Sequence, residues 1–189
     1  MGEPTRTLVL GGARSGKSAH AESLATTGPV RYLATGRRDA SDEDWQRRID
    51  RHRASRPTDW TTVETITSLT TVVSQPWKGT TVVDDLGTWL TGMLDDAGAW
   101  ELPRGTIAPA VEDLVTVVAN CPSTLVLVSP EVGLSVVPES SSGRLFRDEL
   151  GLLNSRLAAV CDRVLLVVAG LALNLKEPPA DLTTAKGTV

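Results

Sequence analysis

The chain predicts an α/β fold in one domain: a mostly parallel sheet with helices packed on both faces. Three observations carry this. Five short runs, Thr7–Leu10, Val30–Ala34, Thr80–Val83, Thr124–Ser129 and Val164–Ala169, are rich in Val, Leu and Thr and bounded by Gly, Pro, Asp or Ser. They are apolar throughout and do not alternate, as strands buried on both faces are. The stretches between them are long enough for crossover helices, which a parallel sheet requires.

In chain order, Thr7–Leu10 runs into a glycine loop, and the first helix is expected over Lys17–Thr26. After the strand Val30–Ala34, Ser41 followed by Asp42, Glu43 and Asp44 starts a helix over Asp42–Arg53, with Pro57 as its stop. Ile66–Ser74 is the next helix, then the strand Thr80–Val83, then a helix over Leu86–Asp95. Asp95–Thr106 mixes Gly, Pro, Asp and Trp100 and reads as a loop. Helices Ile107–Ala119 and Arg144–Val160 flank the strand Thr124–Ser129, and Val164–Ala169 follows. A final strand, Ala172–Lys176, is expected antiparallel at an edge. From Glu177, with Pro178-Pro179 and few apolar residues, the chain reads as a tail, so the domain is placed at residues 1–176 and the tail at 177–189.

A chain of 189 residues usually forms one domain, and 41% hydrophobic with 22% charged residues is ordinary for a globular protein. The net charge of −4 argues against a general nucleic-acid binder. Cys121 and Cys161 sit in separate apolar contexts without metal-ligand spacing, as reduced, buried thiols do. No segment approaches the roughly 18 uninterrupted apolar residues of a membrane span. The run Leu8–Leu10 is too short for a signal-peptide core. The expectation is a cytoplasmic protein.

Gly11-Gly12-Ala13-Arg14-Ser15-Gly16-Lys17-Ser18 fits G-x-x-x-x-G-K-S without a gap, between an expected strand and an expected helix. The glycines let the backbone curl so that successive N–H groups face phosphate oxygens. Lys17 is expected at the β- and γ-phosphates and Ser18 at Mg²⁺. The metal's partner belongs at the end of a buried strand, where Val82-Val83 is followed by Asp84 and Asp85. Asp84, directly after the apolar run, is the expected metal ligand, and Asp85 suits a helix cap at Leu86. Asp84-Asp85-Leu86-Gly87 also spells the D-x-x-G of small GTPases. No Asn-Lys-x-Asp occurs, Asn174-Leu175-Lys176 being the nearest approach, which argues against a switch-type GTPase.

Of the two histidines, His20 lies two residues past Ser18 and reads as a packing or surface residue. His52 lies in Arg47-Arg48-Ile49-Asp50-Arg51-His52-Arg53-Ala54-Ser55-Arg56, an arginine-rich stretch of an acidic protein. On a helix Arg48 and His52 are i, i+4 neighbours, and Arg56 falls near the helix end. Guanidinium forks match phosphate and stay charged, so the cluster suggests a second phosphate-handling site. Cationic neighbours hold a histidine toward its neutral form, which is the nucleophilic one. From the pattern alone a solvated basic face or an RNA-binding patch accounts for the stretch equally well.

These motifs together resemble the bifunctional adenosylcobinamide kinase/adenosylcobinamide-phosphate guanylyltransferase family of cobalamin synthesis. The resemblance runs from the strand before Gly11 to about Lys176, in family order. After the phosphate loop come Tyr32-Leu33-Ala34-Thr35, then Arg48-Ile49-x-x-His52-Arg53-x-x-Arg56-Pro57-x-x-Trp60-x-Thr62-x-Glu64, and Val83-Asp84-x-Leu86-x-x-Trp89-Leu90. Glu131-Val132-Gly133, Val137-Pro138-Glu139, Arg144-x-Phe146-Arg147-Asp148 and Gly151-x-x-Asn154 complete it.

The resemblance implies a RecA-like fold, a homotrimer, and two reactions in one chain. The first phosphorylates the aminopropanol hydroxyl of adenosylcobinamide with GTP or ATP and Mg²⁺. The second moves GMP from GTP onto that phosphate, carried on His52, and gives adenosylcobinamide-GDP. Catalysis would rest on His52 and Lys17. Nucleotide contacts would fall on Gly11, Gly12, Ala13, Arg14, Ser15, Gly16, Lys17, Ser18, Ala34, Thr35, Gly36, Arg53, Ala54, Ser55, Arg56, Glu64 and Asp84; metal contacts on Ser18 and Asp84. No nucleic acid or membrane partner is implied. The chain departs from the family pattern in two places. Pro130 stands where the family usually has Asn, removing an amide available to substrate. Asp84-Asp85-Leu86-Gly87 stands where the family block usually reads Asp-Cys-Leu-Thr, with consequences expected for metal placement. Two other readings stay open on the residues: a small-molecule P-loop kinase without transferase activity, which would form no covalent nucleotide adduct, and a non-catalytic NTP-binding module, which would bind without turnover.

Overall fold

The computed structural model of the chain describes residues 5–25, 28–37, 47, 56–65 and 68–177. Seven strands form one sheet: β1 (Arg6–Gly11), β2 (Val30–Ala34), β3 (Thr61–Glu64), β4 (Thr80–Asp84), β5 (Thr124–Pro130), β6 (Arg163–Val168) and β7 (Leu171–Lys176). Their spatial order is β3-β2-β4-β5-β1-β6-β7, parallel except for β7, which pairs antiparallel with β6. The helices are α1 (Lys17–Ser23), α2 (Leu69–Ser74), α3 (Leu86–Asp96), α4 (Ala108–Ala119) and α5 (Ser141–Val160). This is the α/β, P-loop architecture that the sequence predicts, with β5 inserted between the strand that leads into the phosphate loop and the strand that ends in Asp84.

The unbroken apolar runs have a direct explanation. Leu8 and Leu10 of β1 point into a core built with α2, α3, α4 and α5, together with Leu33, Val83, Leu125, Leu127 and Val164. Val9 points the other way, into a second cluster with Ala21 and Ala25 from the α1 segment and Tyr32, Val82, Val126, Val128, Leu165 and Val167. Burying a Val or Leu side chain contributes about 1.5–3 kcal/mol, so a strand covered on both faces gains from every residue. At the end of the sheet remote from the phosphate loop, Arg6 and Asp162 pair at 2.7 Å and hold the starts of β1 and β6 together. That guanidinium keeps the Asp162 carboxyl below the usual carboxylate range.

Several element boundaries differ from expectation. Strand β3 was not anticipated; its four residues Thr-Thr-Val-Glu lie half-buried or exposed at the sheet edge, so they carry no apolar run. Helix α5 begins three residues before Arg144, because the Ser140 hydroxyl accepts a hydrogen bond from the Gly143 N–H at 3.1 Å and caps it. Within the expected loop, Ala99–Glu101 forms a 3-10 turn that buries Ala99. The expected helix Asp42–Arg53 lies outside the described residues except for Arg47, which is helical, and the tail from residue 178 lies outside them as well. Cys121 and Cys161 are free and buried, and burial pushes the Cys161 thiol up to about 12. Among the described residues no helix is long and apolar enough to cross a membrane.

Candidate active site

The phosphate loop leaves β1 at Gly11 and enters α1 at Lys17. A Cβ at Gly11 would lie 2.7 Å from the Val167 carbonyl oxygen and would collide with the Ser15 hydroxyl, so the strand can end there only without a side chain. Arg14 and Gly16 take left-handed backbone conformations, with φ of 56° and 93°. Gly16 supplies one of them without steric cost. Ser15 is buried; its hydroxyl accepts from the Lys17 N–H at 3.3 Å, and its carbonyl accepts from the Gly170 N–H at 2.8 Å. The loop is thus braced from the β6–β7 turn. Lys17 is 9% exposed, and among the described residues its ammonium makes no hydrogen bond or ion pair. Its charge is felt at Asp85 without direct contact, which leaves the ammonium's donors for an anionic ligand.

Asp84 and Asp85 make different contacts, and Asp85 caps the helix as its position suggests. The Ser18 hydroxyl on α1 donates to Asp84 Oδ1 at 3.2 Å, although β5 lies between β4 and the strand that leads into α1, and the Tyr32 hydroxyl donates to Asp84 Oδ2 at 2.5 Å. Asp85 Oδ1 accepts from the Thr88 N–H at 2.9 Å and caps α3. Burial, and then the adjacent Asp84 charge, push the Asp85 carboxyl above the usual range. Ser18 and Asp84 offer the hard oxygen donors that suit Mg²⁺, which takes few protein ligands beside phosphate and water. Among the described residues no group of three or more His, Cys, Asp or Glu could hold a metal ion. Asp84→Asn is expected to raise the Mg²⁺ concentration needed for half-maximal activity about tenfold or more, and Asp85→Asn, which keeps a capping side chain, by less than threefold. Mg²⁺ titrations of both variants check this, and the reverse order would assign the metal to Asp85.

The sheet register sets the remaining residues side by side. Glu64 on β3, Ala34 on β2 and Asp84 on β4 occupy one row across the carboxyl ends of the strands. Thr35 is wholly buried, and its hydroxyl donates to the Asp85 carbonyl at 2.6 Å, tying the end of β2 to the start of α3. Gly36, next along, is half-buried. Arg56 is brought to this same region: its guanidinium carbon lies 3.5 Å above the Tyr32 ring, whose hydroxyl holds Asp84. Trp60 packs against the same ring, centroid to centroid 6.2 Å. Arg48, His52, Arg53, Ala54 and Ser55 lie outside the described residues.

Two residues without an assigned role join the cluster. Glu22 lies one helical turn beyond Ser18 on α1, and its Oε1 is buried without a hydrogen-bond partner. Burial raises its carboxyl, the Asp84 charge adds to this, and Arg56 opposes it. Tyr32 stands in a quoted motif but read as a strand residue. The i, i+4 spacing of Ser18 and Glu22 was the available signal for the first; only the fold reveals the second. Positions 87 and 130, far apart in the chain, meet each other. A Cβ at Gly87 would stand 2.7 Å from Pro130 Cγ, so the proline ring occupies the space that a side chain at position 87 would need.

The chain was compared with known proteins. A family model described as "Cobinamide kinase / cobinamide phosphate guanyltransferase" matches residues 7–175. The bifunctional adenosylcobalamin biosynthesis protein CobU of Escherichia coli (strain K12) is 37% identical over 180 residues, covering 89% of this chain and 98% of that one. The bifunctional adenosylcobalamin biosynthesis protein CobP of Pseudomonas aeruginosa is 41% identical over 180 residues, covering 92% and 99%. Among solved structures, a prototypical ATPase from the type III secretion system of pathogenic bacteria superposes with a TM-score of 0.58 at 11% identity, over 92% of this chain and 57% of that one. The last likeness concerns the fold alone.

Proposed function

This chain belongs to the cobinamide kinase / cobinamide phosphate guanyltransferase family, and from that premise we propose how its residues divide the two reactions. As a kinase and guanylyltransferase of adenosylcobalamin biosynthesis it acts on cobinamide and then on cobinamide phosphate. In our reading GTP or ATP lies in the phosphate loop, with backbone N–H groups of residues 12–18 on the phosphates and Lys17 on the β- and γ-positions. Ser18 and Asp84 would hold Mg²⁺, which when bound neutralises charge on those phosphates. The cobinamide hydroxyl attacks the γ-phosphorus, and the nucleoside diphosphate leaves.

For the second reaction an imidazole nitrogen of His52 attacks the α-phosphorus of GTP. A P–N bond forms, the bond to the β-phosphate oxygen breaks, and pyrophosphate departs. An oxygen of cobinamide phosphate then displaces the imidazole and takes the GMP. What supports this reading is the position of Arg56: four residues after His52, it rests over Tyr32 beside Asp84. Arg56, the last residue of the arginine-rich segment, therefore lies beside the carboxylate that takes the Ser18 hydroxyl. Arg53, Ala54, Ser55, Glu64 and the Ala34–Gly36 backbone would complete the nucleotide contacts.

We place the protein in the cytoplasm, with residues 1–176 as the domain. We also propose a homotrimer. Leu134, Val136 and Val137 after β5, and Leu171, Leu173 and Leu175 on β7, are more than half exposed, which gives a self-association surface its apolar material. Wild-type protein incubated with GTP and Mg²⁺ should gain the mass of one GMP, labile to acid and removed by cobinamide phosphate. Turnover of cobinamide with no adduct at any time would leave the kinase reading alone.

A further inference from the structure

The two halves of the site, the phosphate loop with Asp84 and the segment that ends at Arg56, meet on one side chain. Tyr32 is 1% exposed and stands on β2, one strand away from β4. Its hydroxyl takes Asp84 Oδ2 at 2.5 Å, while the other oxygen of the same carboxylate receives the Ser18 hydroxyl at 3.2 Å. The ring carries Arg56 on its face at 3.5 Å and packs against Trp60. The Nε of Arg56 is buried without a hydrogen-bond partner, so the stacking contact and the field of Glu22 are what locate this guanidinium.

We propose that Tyr32 is a positioning residue that links the two halves: its hydroxyl orients the Asp84 carboxylate toward Ser18, and its ring seats Arg56 and with it the end of the segment that carries His52. The inference rests on the reading that a metal–triphosphate complex binds at the phosphate loop. It adds a route by which occupancy at Asp84 is felt at Arg56. A carboxylate that turns toward a metal pulls on the phenol, and the phenol is the platform under the guanidinium. Neither effect requires Tyr32 to touch substrate.

The sequence offers a direct probe, because Tyr32 is the single tyrosine of the chain. Protein labelled with 3-fluorotyrosine has one fluorine resonance, and that resonance reports on this ring. Without nucleotide or metal, it should move in Asp84→Asn and again in Arg56→Gln. A resonance unchanged in either variant would overturn the link on that side. The second measurement is calorimetric titration of GTP at graded Mg²⁺. Tyr32→Phe keeps the ring for Arg56 and Trp60 and removes one hydrogen bond to a charged group, so the half-saturating Mg²⁺ concentration should rise about tenfold. Mg²⁺ dependence within twofold of wild type would reduce Tyr32 to a packing residue. Absence of Mg²⁺–GTP binding by the wild type would instead sink the functional reading, and the fluorine shifts would still decide the link.

Discussion

His52→Ala protein given labelled GTP and Mg²⁺ is expected to carry no acid-labile GMP, and transfer of GMP to cobinamide phosphate is expected to stop. A phosphoramidate needs a neutral imidazole, an anion site beside it and a leaving group that can depart as pyrophosphate. Of the two histidines only His52 stands among arginines, and an amide or a guanidinium is not a competent nucleophile at neutral pH. His52→Asn should behave like His52→Ala. Phosphorylation of the cobinamide hydroxyl should persist in both, since an in-line phosphoryl transfer proceeds without a covalent enzyme intermediate. The readouts are intact mass for the adduct and product assays for each half-reaction. A GMP adduct that still forms on His52→Ala would move the nucleophile elsewhere.

Lys17→Ala is expected to cost about 30- to 5,000-fold in kinase turnover, as removal of a desolvated phosphate partner costs about 2–5 kcal/mol. The gain in melting temperature on adding Mg²⁺–GTP should also largely vanish in Lys17→Ala. Turnover within threefold of wild type would remove Lys17 from the phosphate site.

The fold was legible wherever a strand is covered on both faces, because burial on two sides writes an unbroken apolar run. Strand β3 was illegible for the converse reason. At an edge Thr61–Glu64 needs hydrogen bonding to β2 and little else, and no periodicity records that. The phosphate loop was legible because its residues are contiguous and the chemistry constrains each one. Assignment of the cap to Asp85 and the outward carboxylate to Asp84 could be read from which residue follows the strand and which precedes the helix. The approach of Arg56 to Asp84 could not be read, since it depends on β2 and β4 being neighbours although residues 35–79 separate them in the chain. Thr35 shows the same limit: nothing local indicates that its hydroxyl is spent on the Asp85 carbonyl.

The packing of Gly87 beneath Pro130 makes two positions far apart in the chain one steric unit, because a Cβ at 87 would stand 2.7 Å from the proline ring. A side chain introduced at 87 alone must push that ring aside, whereas the same side chain introduced together with Pro130→Ala does not meet it. Substitutions at these two positions are therefore expected to be non-additive.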